Sequence, residues 1–309
     1  MAYSSGGLIE ATDYNNFLNG SNQLNTVWST GNGNAGYGQS ALSTVSAGGT
    51  VTATQWATLI NTLNSTLTHQ SGSGSGISAP TAGSTIAYLS ALSTSIGTAY
   101  SNRLNKASNG STSTGSVYSP NVTSTNTVST QTISFTRTVS FSSGDAARYF
   151  FNCGGYINFV TTSAVSNDGS GRSNDLATTI GTYLGSVTGF GAAGNGGRTG
   201  TGGTLFTNAT TLGYFGLITS PQAAVVVHST TYPYAGDSAQ VNFRSNGSNL
   251  SGNGDAGSIV YIDGYAASPV YSGLDAWNHS INVTWNYRID IVYPESSNLT
   301  NSWGTVTVS

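Results

Sequence analysis

Charge is what this sequence has least of. Of 309 residues, 8 are Lys or Arg and 11 are Asp or Glu, 6% of the chain, against about 25% in an average soluble domain. Lys106 is the one lysine, and Glu10 and Glu295 are the two glutamates. A chain without clustered Lys and Arg cannot neutralise a phosphate backbone, which argues against nucleic acid as a partner. Cys153 is alone, so an intrachain disulfide and a cysteine zinc site are both excluded, and a small buried residue beside a tight turn is expected. No window approaches the roughly 18 apolar residues of a membrane span, so no membrane insertion is expected. Met1-Ala-Tyr-Ser-Ser-Gly-Gly lacks the basic-then-apolar order of a secretory signal.

What replaces charge is Ser, Thr, Asn and 41 Gly, beside a 37% hydrophobic fraction with 17 Tyr, 10 Phe and 5 Trp. That apolar content is enough for a core, so low charge here does not mean disorder. Neutral polar residues suit the solvent faces of strands and turn-rich loops. Net charge keeps proteins apart, and this chain, at −3, has little of it to oppose packing against copies of itself.

The N-terminal part reads as helical. Tyr14, Phe17, Leu18, Leu24 and Trp28 recur near helical spacing between a cap at Thr12 or Asp13 and a stop at Gly31. Trp56, Leu59, Ile60, Leu63 and Leu67 form one stripe, capped by Thr52 or Thr54. Ser71 to Gly76 reads as a flexible linker. Ile86, Leu89, Ile96, Tyr100 and Leu104 mark a third helix. The expected organisation is a small helical unit over 1–110 for anchoring and oligomerisation, then an antiparallel β-sandwich, jelly-roll-like, over 117–309, α+β overall. Strands are expected at Ile180 to Thr188, Thr210 to Thr219, Ala223 to Thr231, Gln240 to Ser245 and Ser258 to Ala266. Gly185 to Gly203 reads as a mobile or surface-draped loop. Ile281, Val283, Trp285, Tyr287, Ile289, Ile291 and Tyr293 alternate with polar residues, a strand whose register is tightly specified.

At the centre stands Ile133 to Val160. Ile133, Phe135, Val139 and Phe141 alternate with Ser and Thr, which marks a half-buried strand. A second apolar run from Tyr149, broken at Asn152-Cys153-Gly154-Gly155, predicts a hairpin of three adjacent strands. Gly154 is then expected at positive φ, and Phe150 and Phe151 are expected on opposite faces. The segment S-S-G-D-A-A-R-Y-F-F-N-C-G-G-Y-I-N-F, together with W-S-T-G-N-G-N-A-G-Y-G-Q at 28–39 and R-I-D-I-V-Y-P-E…W-G-T-V-T at 288–307, resembles virion structural proteins of tailed bacteriophages, especially phages of marine cyanobacteria. The resemblance implies a non-enzymatic virion component, tail-associated (fibre, baseplate or neck) or else a head decoration protein. It implies copies of itself as a homotrimer or higher ring and other virion proteins as partners, assembly in the host cytoplasm and exposure after lysis. No catalytic residue comes with it.

The candidate sites each have a plainer explanation. Gly189-Phe190-Gly191-Ala192-Ala193-Gly194 matches the dinucleotide fingerprint, but no βαβ unit surrounds it, and no cofactor is expected. Asn167-Asp168-Gly169 through Asn174-Asp175 could gather oxygens for Ca²⁺, though Asn and Asp favour turns without any metal. The two glutamates and the scattered Asp263, Asp275 and Asp290 show no glycosidase pairing, and Asp290 beside Arg288 reads as a strand-face ion pair. His69, His228 and His279 are isolated, with no nucleophile elbow. Tyr232, Tyr234, Tyr261, Tyr265, Tyr271 and Trp277 lie in or near loops, where aromatics can stack on sugars of a host surface glycan. Sheet packing and subunit interfaces use the same residues.

Overall fold

The computed structural model describes residues 10–20, 22–83, 86, 89–125, 128–247, 257–272 and 280–309. Four helices lead the chain: α1 (Ala11–Leu18), α2 (Leu24–Trp28), α3 (Ala53–Ser71) and α4 (Leu89–Ser101). The single helix expected across Tyr14 to Trp28 is two, because Gly20 and Asn22 take φ of 138° and 72° and no right-handed helix passes through such residues. Glu10, rather than Thr12 or Asp13, is the cap of α1, and its N–H donates to Asp13 Oδ2 at 3.0 Å. Thr52 caps α3 as expected, and Gly72 ends it in the left-handed region. Trp56 carries the small core of this unit, edge-on to Tyr14 at 5.4 Å and to Phe17 at 5.9 Å. The 71–76 stretch is tethered, since Asn64 Oδ1 accepts from the backbone N–H of Ser75.

The rest is an antiparallel β-sandwich. Its strands are β1 (Asn109–Ser113), β2 (Asn121–Ser124), β3 (Gln131–Ser140), β4 (Tyr156–Ser166), β5 (Val187–Phe190), β6 (Thr204–Asn208), β7 (Gln222–His228), β8 (Ser238–Ser245), β9 (Ile259–Ser268), β10 (Ile281–Pro294) and β11 (Thr307–Val308). One sheet runs β1-β10-β4-β5, with β2 also on β10; the other runs β11-β3-β9-β8-β7-β6. The β unit thus takes up residues from Asn109, earlier than the expected 117. The alternation of β10 is kept from Ile281 to Ile289, with Ile281, Val283, Trp285, Tyr287 and Ile289 fully buried, and lapses beyond, where Asp290, Ile291 and Val292 are all buried and Tyr293 is half-buried.

The two sheets meet through aromatic rings. Phe135 of β3 stacks on Tyr287 of β10 at 3.9 Å and meets Trp285 edge-on at 5.1 Å. Phe190 of β5 stacks on Phe243 of β8 at 4.1 Å. Gly264, paired with Phe135 across β3 and β9, leaves room for that ring, which any Cβ there would overlap.

The expected three-stranded hairpin is overturned. Gly144–Asn152 is a helix, α5, and β3 and β4, which flank it, lie in different sheets. Ser143 caps it, accepting from Ala146 N–H at 3.0 Å, and Asp145 sits in the first turn, where a negative charge offsets the helix dipole. Every residue from Ala146 to Asn152 is buried, so no polar stripe reveals the helical period. Gly154 does take a φ of 86°, but as a helix terminator: its N–H and that of Gly155 bond back to Phe151 and Phe150 carbonyls. This is the helix-end use of left-handed glycine rather than the hairpin use.

Three further expectations are corrected. The strand expected at Ile180 to Thr188 is α6 (Gly171–Thr178) running into a π-helical turn at Thr179–Leu184, then β5. Ile180 and Leu184 are four apart as well as even-spaced, so both periods fit them. Thr210 to Thr219 holds a short 3₁₀ turn at Tyr214–Gly216, not a strand. The glycine tract 185–203 is pinned rather than draped. Asn195 N–H bonds Thr210 O, Gly196 N–H bonds Thr188 O and Thr199 N–H bonds Ser186 O. At Gly194 a Cβ would strike the Thr210 carbonyl, so glycine here permits close packing of backbone on backbone.

The helical unit is joined to the sandwich by buried and half-buried polar contacts. Arg148 Nη1 donates to Ala35 O at 3.1 Å, Asn152 Nδ2 to Gly36 O at 2.9 Å, and Ser302 Oγ to Tyr37 O. Gln39 exchanges hydrogen bonds with Thr300 in the C-terminal tail. Because α5 is surrounded, Phe150 and Phe151 are both buried, at 0% and 1% exposure. Phe150→Ala and Phe151→Ala are each expected to cost about 3–5 kcal/mol in urea unfolding. A large difference between the two would contradict the helix.

Candidate functional site

Helix α6 starts at Ser170, whose hydroxyl accepts from Ser173 N–H. Its first two turns aim Arg172 and Asp175 inward, with Arg172 1% and Asp175 6% exposed. The loop between β7 and β8 brings Ser229, Tyr234 and Asp237 to the same place, and the chain leaving β9 brings Ser268 and Tyr271. Arg172 Nε donates to Ser268 Oγ at 2.8 Å, and its Nη2 to the carbonyls of Ser129, Ser268 and Pro269. Asp175 Oδ1 accepts from Ser229 Oγ at 2.9 Å, and Asp237 Oδ1 from the Tyr271 hydroxyl at 2.6 Å. Tyr234 and Tyr271 meet edge to face at 5.3 Å.

Burial pushes the Asp237 carboxyl up to about 7; the neighbouring Asp175 adds to the rise, and the Ser268 and Tyr271 hydroxyls and the pull of Arg172 oppose it. Burial also raises Asp175, opposed by the Ser229 and Thr231 hydroxyls and by Asp237. Tyr271 is raised by burial and by Asp237. In both carboxyl groups desolvation shifts the balance toward the protonated form.

Of the expected glycan-contact residues, the structure gathers Tyr234 and Tyr271 into this cluster, where their rings pack on each other. Tyr232 stands at the loop tip, 93% exposed, next to a cis Tyr232–Pro233 peptide. Tyr265 is away from them on β9, opposite Ser134 of β3 and Gln240 of β8, and Tyr261 lies on the same strand under the Arg244 guanidinium. Trp277 lies outside the described residues, as do Asp275 and His279. In the 167–175 stretch the two carboxylates go to separate partners. Asp168 Oδ1 accepts from Ser170 N–H, and Asp175 turns inward to Ser229. Among the described residues, no three His, Cys, Asp or Glu side chains converge to hold a metal. The 189–194 fingerprint spans the end of β5 and a turn closed by Gly191 N–H to Gly194 O; β6, not a helix, follows it. Asp290 and Arg288 form the expected strand-face pair, at 2.9 Å, and Cys153 is buried.

A second ionisable pair sits at the joint between the two units. His69 Nδ1 lies 2.9 Å from Glu295 Oε1, and both residues are buried. Burial lowers His69 more than Glu295 raises it, so the ring is neutral at pH 7 and donates through Nδ1–H. Burial alone would raise Glu295, but hydrogen bonds from Ser297, His69 and Asn298 outweigh it and bring it down to about 2. This pairing of a helix residue with the tail had no local signal in the sequence. Neither did Asp237, since each of its partners is distant along the chain; Arg172 and Asp175, at i and i+3 of one helix, carried a weak one.

Comparison with protein-family models, with curated proteins and with solved structures finds no match.

A carboxylate held below its unfolded value stabilises the fold above that unfolded value, roughly pH 4, and the contribution is lost as pH falls toward 2. The lowered His69 acts in the same direction, because acid protonates it in the unfolded chain first. Glu295→Gln is expected to cost about 1–3 kcal/mol near pH 6, with the gap to wild type closing between pH 4 and pH 2 in thermal unfolding. A gap independent of pH would mean that the carboxylate is not the stabilising form.

Proposed function

We propose that this chain is a non-enzymatic structural protein of a tailed-phage particle, tail-associated in fibre, baseplate or neck, and assembled with copies of itself as a homotrimer or higher ring. The observation that carries the reading is the edge of the larger sheet. Strand β6 ends that sheet and turns Leu205 and Phe206 outward at 42% and 63% exposure. A sheet edge with free backbone groups and apolar side chains invites a further strand unless charge guards it. Here no Lys or Glu stands on β6, and the chain as a whole carries few charges. The described charged side chains support the same reading from the other direction. Arg148, Arg172, Arg244, Arg288, Glu295 and Asp263 are each engaged in a contact that holds the fold together. The three segments that resemble cyanophage virion proteins include α5 and the tail that docks on the helical unit.

The exposed Tyr232 favours a second reading, a receptor- or glycan-binding module, in which that ring is a stacking platform for a sugar. Light scattering at micromolar concentration is expected to give a trimer or larger, and Phe206→Lys to weaken association at least about tenfold, which is about 1.4 kcal/mol. Immunogold labelling of particles is expected to mark the tail. A 31.5 kDa monomer with particles left unlabelled, together with glycan-array binding lost in Tyr232→Ala, would give the second reading its place.

A further inference from the structure

The carboxyl groups of Asp175 and Asp237 come from separate parts of the fold, one from α6 and one from the loop entering β8, and they meet in the interior. Each has one oxygen with a donor: Ser229 Oγ for Asp175 Oδ1, the Tyr271 hydroxyl for Asp237 Oδ1. The other oxygen of each, Oδ2, is buried without a hydrogen bond, and each carboxyl acts on the proton of the other. Two ionised carboxylates in one buried cluster repel, and an ionised oxygen without a donor is costly to bury. One proton between the Oδ2 atoms removes both problems. It also balances the charge, because Arg172 supplies a single positive charge for the pair.

We infer that Asp175 and Asp237 share one proton and form a pH-sensitive clasp, which holds the Ser229–Asp237 loop against α6 while the proton is present and lets it go when the proton is lost. Among the described residues, the charged and titratable groups facing the pair are Arg172 from α6, Tyr234 from the loop and Tyr271 from the chain after β9. The hydroxyls of Ser229, Thr231 and Ser268 also face the pair. His228, the neighbour of Ser229, sets its ring 4.2 Å from Phe206 instead. Asp237 also closes the loop through its backbone: its N–H donates to Tyr234 O, and its carbonyl accepts from Ser229 N–H. Loss of the proton leaves two negative charges against one guanidinium, and outward movement of Asp237 takes both loop-closing bonds with it. The exposed Tyr232 rides on this loop. A carboxyl raised in the fold contributes stability that is fully present below its unfolded value, roughly pH 4, and lost as pH rises through its folded value, about 7 for Asp237.

The test is carboxyl ¹³C NMR of the full chain labelled at Asp, followed from pH 3 to 9. One aspartate is expected to titrate near pH 7. In Asp175→Asn the amide donates permanently to Asp237, so the late titration is expected to vanish. Hydrogen exchange supplies a second readout. The 229–237 amides of wild type are expected to lose protection about tenfold between pH 6 and 8 beyond the intrinsic rate change, and those of Asp175→Asn to keep it. Every aspartate titrating below pH 5 overturns the clasp, as does an equal loss of protection in the variant. A titration below pH 5 that moves on adding millimolar calcium also overturns it, and makes the pair a cation site. Should Asp175→Asn not fold, the wild-type titration alone decides between these outcomes.

Discussion

The backbone carbonyls of Ala35, Gly36 and Tyr37 are three consecutive acceptors, and the sandwich supplies a donor to each: the buried Arg148 and Asn152, and the half-buried Ser302. A carbonyl buried without a donor costs about 1–3 kcal/mol, so this loop is stable only where it lies. Around it the Tyr37 ring is fully buried, its hydroxyl donates to Arg103 O and accepts from Gln70 Nε2, and His69 sits edge-on to it at 5.4 Å. Helix α5 is the rigid body on which two of these donors, Arg148 and Asn152, are mounted, and Ser302 comes from the tail. Its buried aromatic face joins the sandwich core through Phe141, Phe190 and Tyr214. The two units are therefore continuous through α5, although each has its own apolar cluster.

Scarcity of charge explains the form that these contacts take. A chain with so few ions satisfies its buried polar groups with neutral partners, and Asn, Gln, Ser and Thr recur at the joints. Asn25 bridges two backbone groups of Leu42, Asn15 does the same for Val45, and Gln39 does so for Thr300. Such pairs avoid the desolvation cost of buried ions. Two buried ionisable clusters, Arg172 with Asp175 and Asp237 and His69 with Glu295, sit where segments distant in sequence meet.

What the sequence disclosed depended on whether an element has one wet side. The α3 stripe and the β10 alternation were legible because each has a polar face, and period is the contrast between faces. Helix α5 was not, because Ala146 to Asn152 are buried all round and the run shows neither period. The Gly154 reversal was legible as positive φ but ambiguous in use, since helix ends and tight hairpins need the same conformation. The glycine tract 185–203 misled in another way. Composition reports freedom of the backbone, whereas here that freedom lets neighbouring segments press together. At the candidate site, loop aromatics led to Tyr234 and Tyr271. The carboxyl pair they cover joins a helix to a distant loop, and no local pattern encodes that.

Strand β10 lies between β4 and both β1 and β2, yet it is synthesised long after all three. On the ribosome, β1, β2 and β4 emerge long before the strand that pairs with all three. The smaller sheet cannot close until residues 281–294 have left the exit tunnel, so its apolar faces wait while more than a hundred intervening residues are made. The nascent chain is in that interval a natural client for holding chaperones. A product truncated before residue 281 would lack the centre of a sheet rather than an edge, and would be expected in the insoluble fraction.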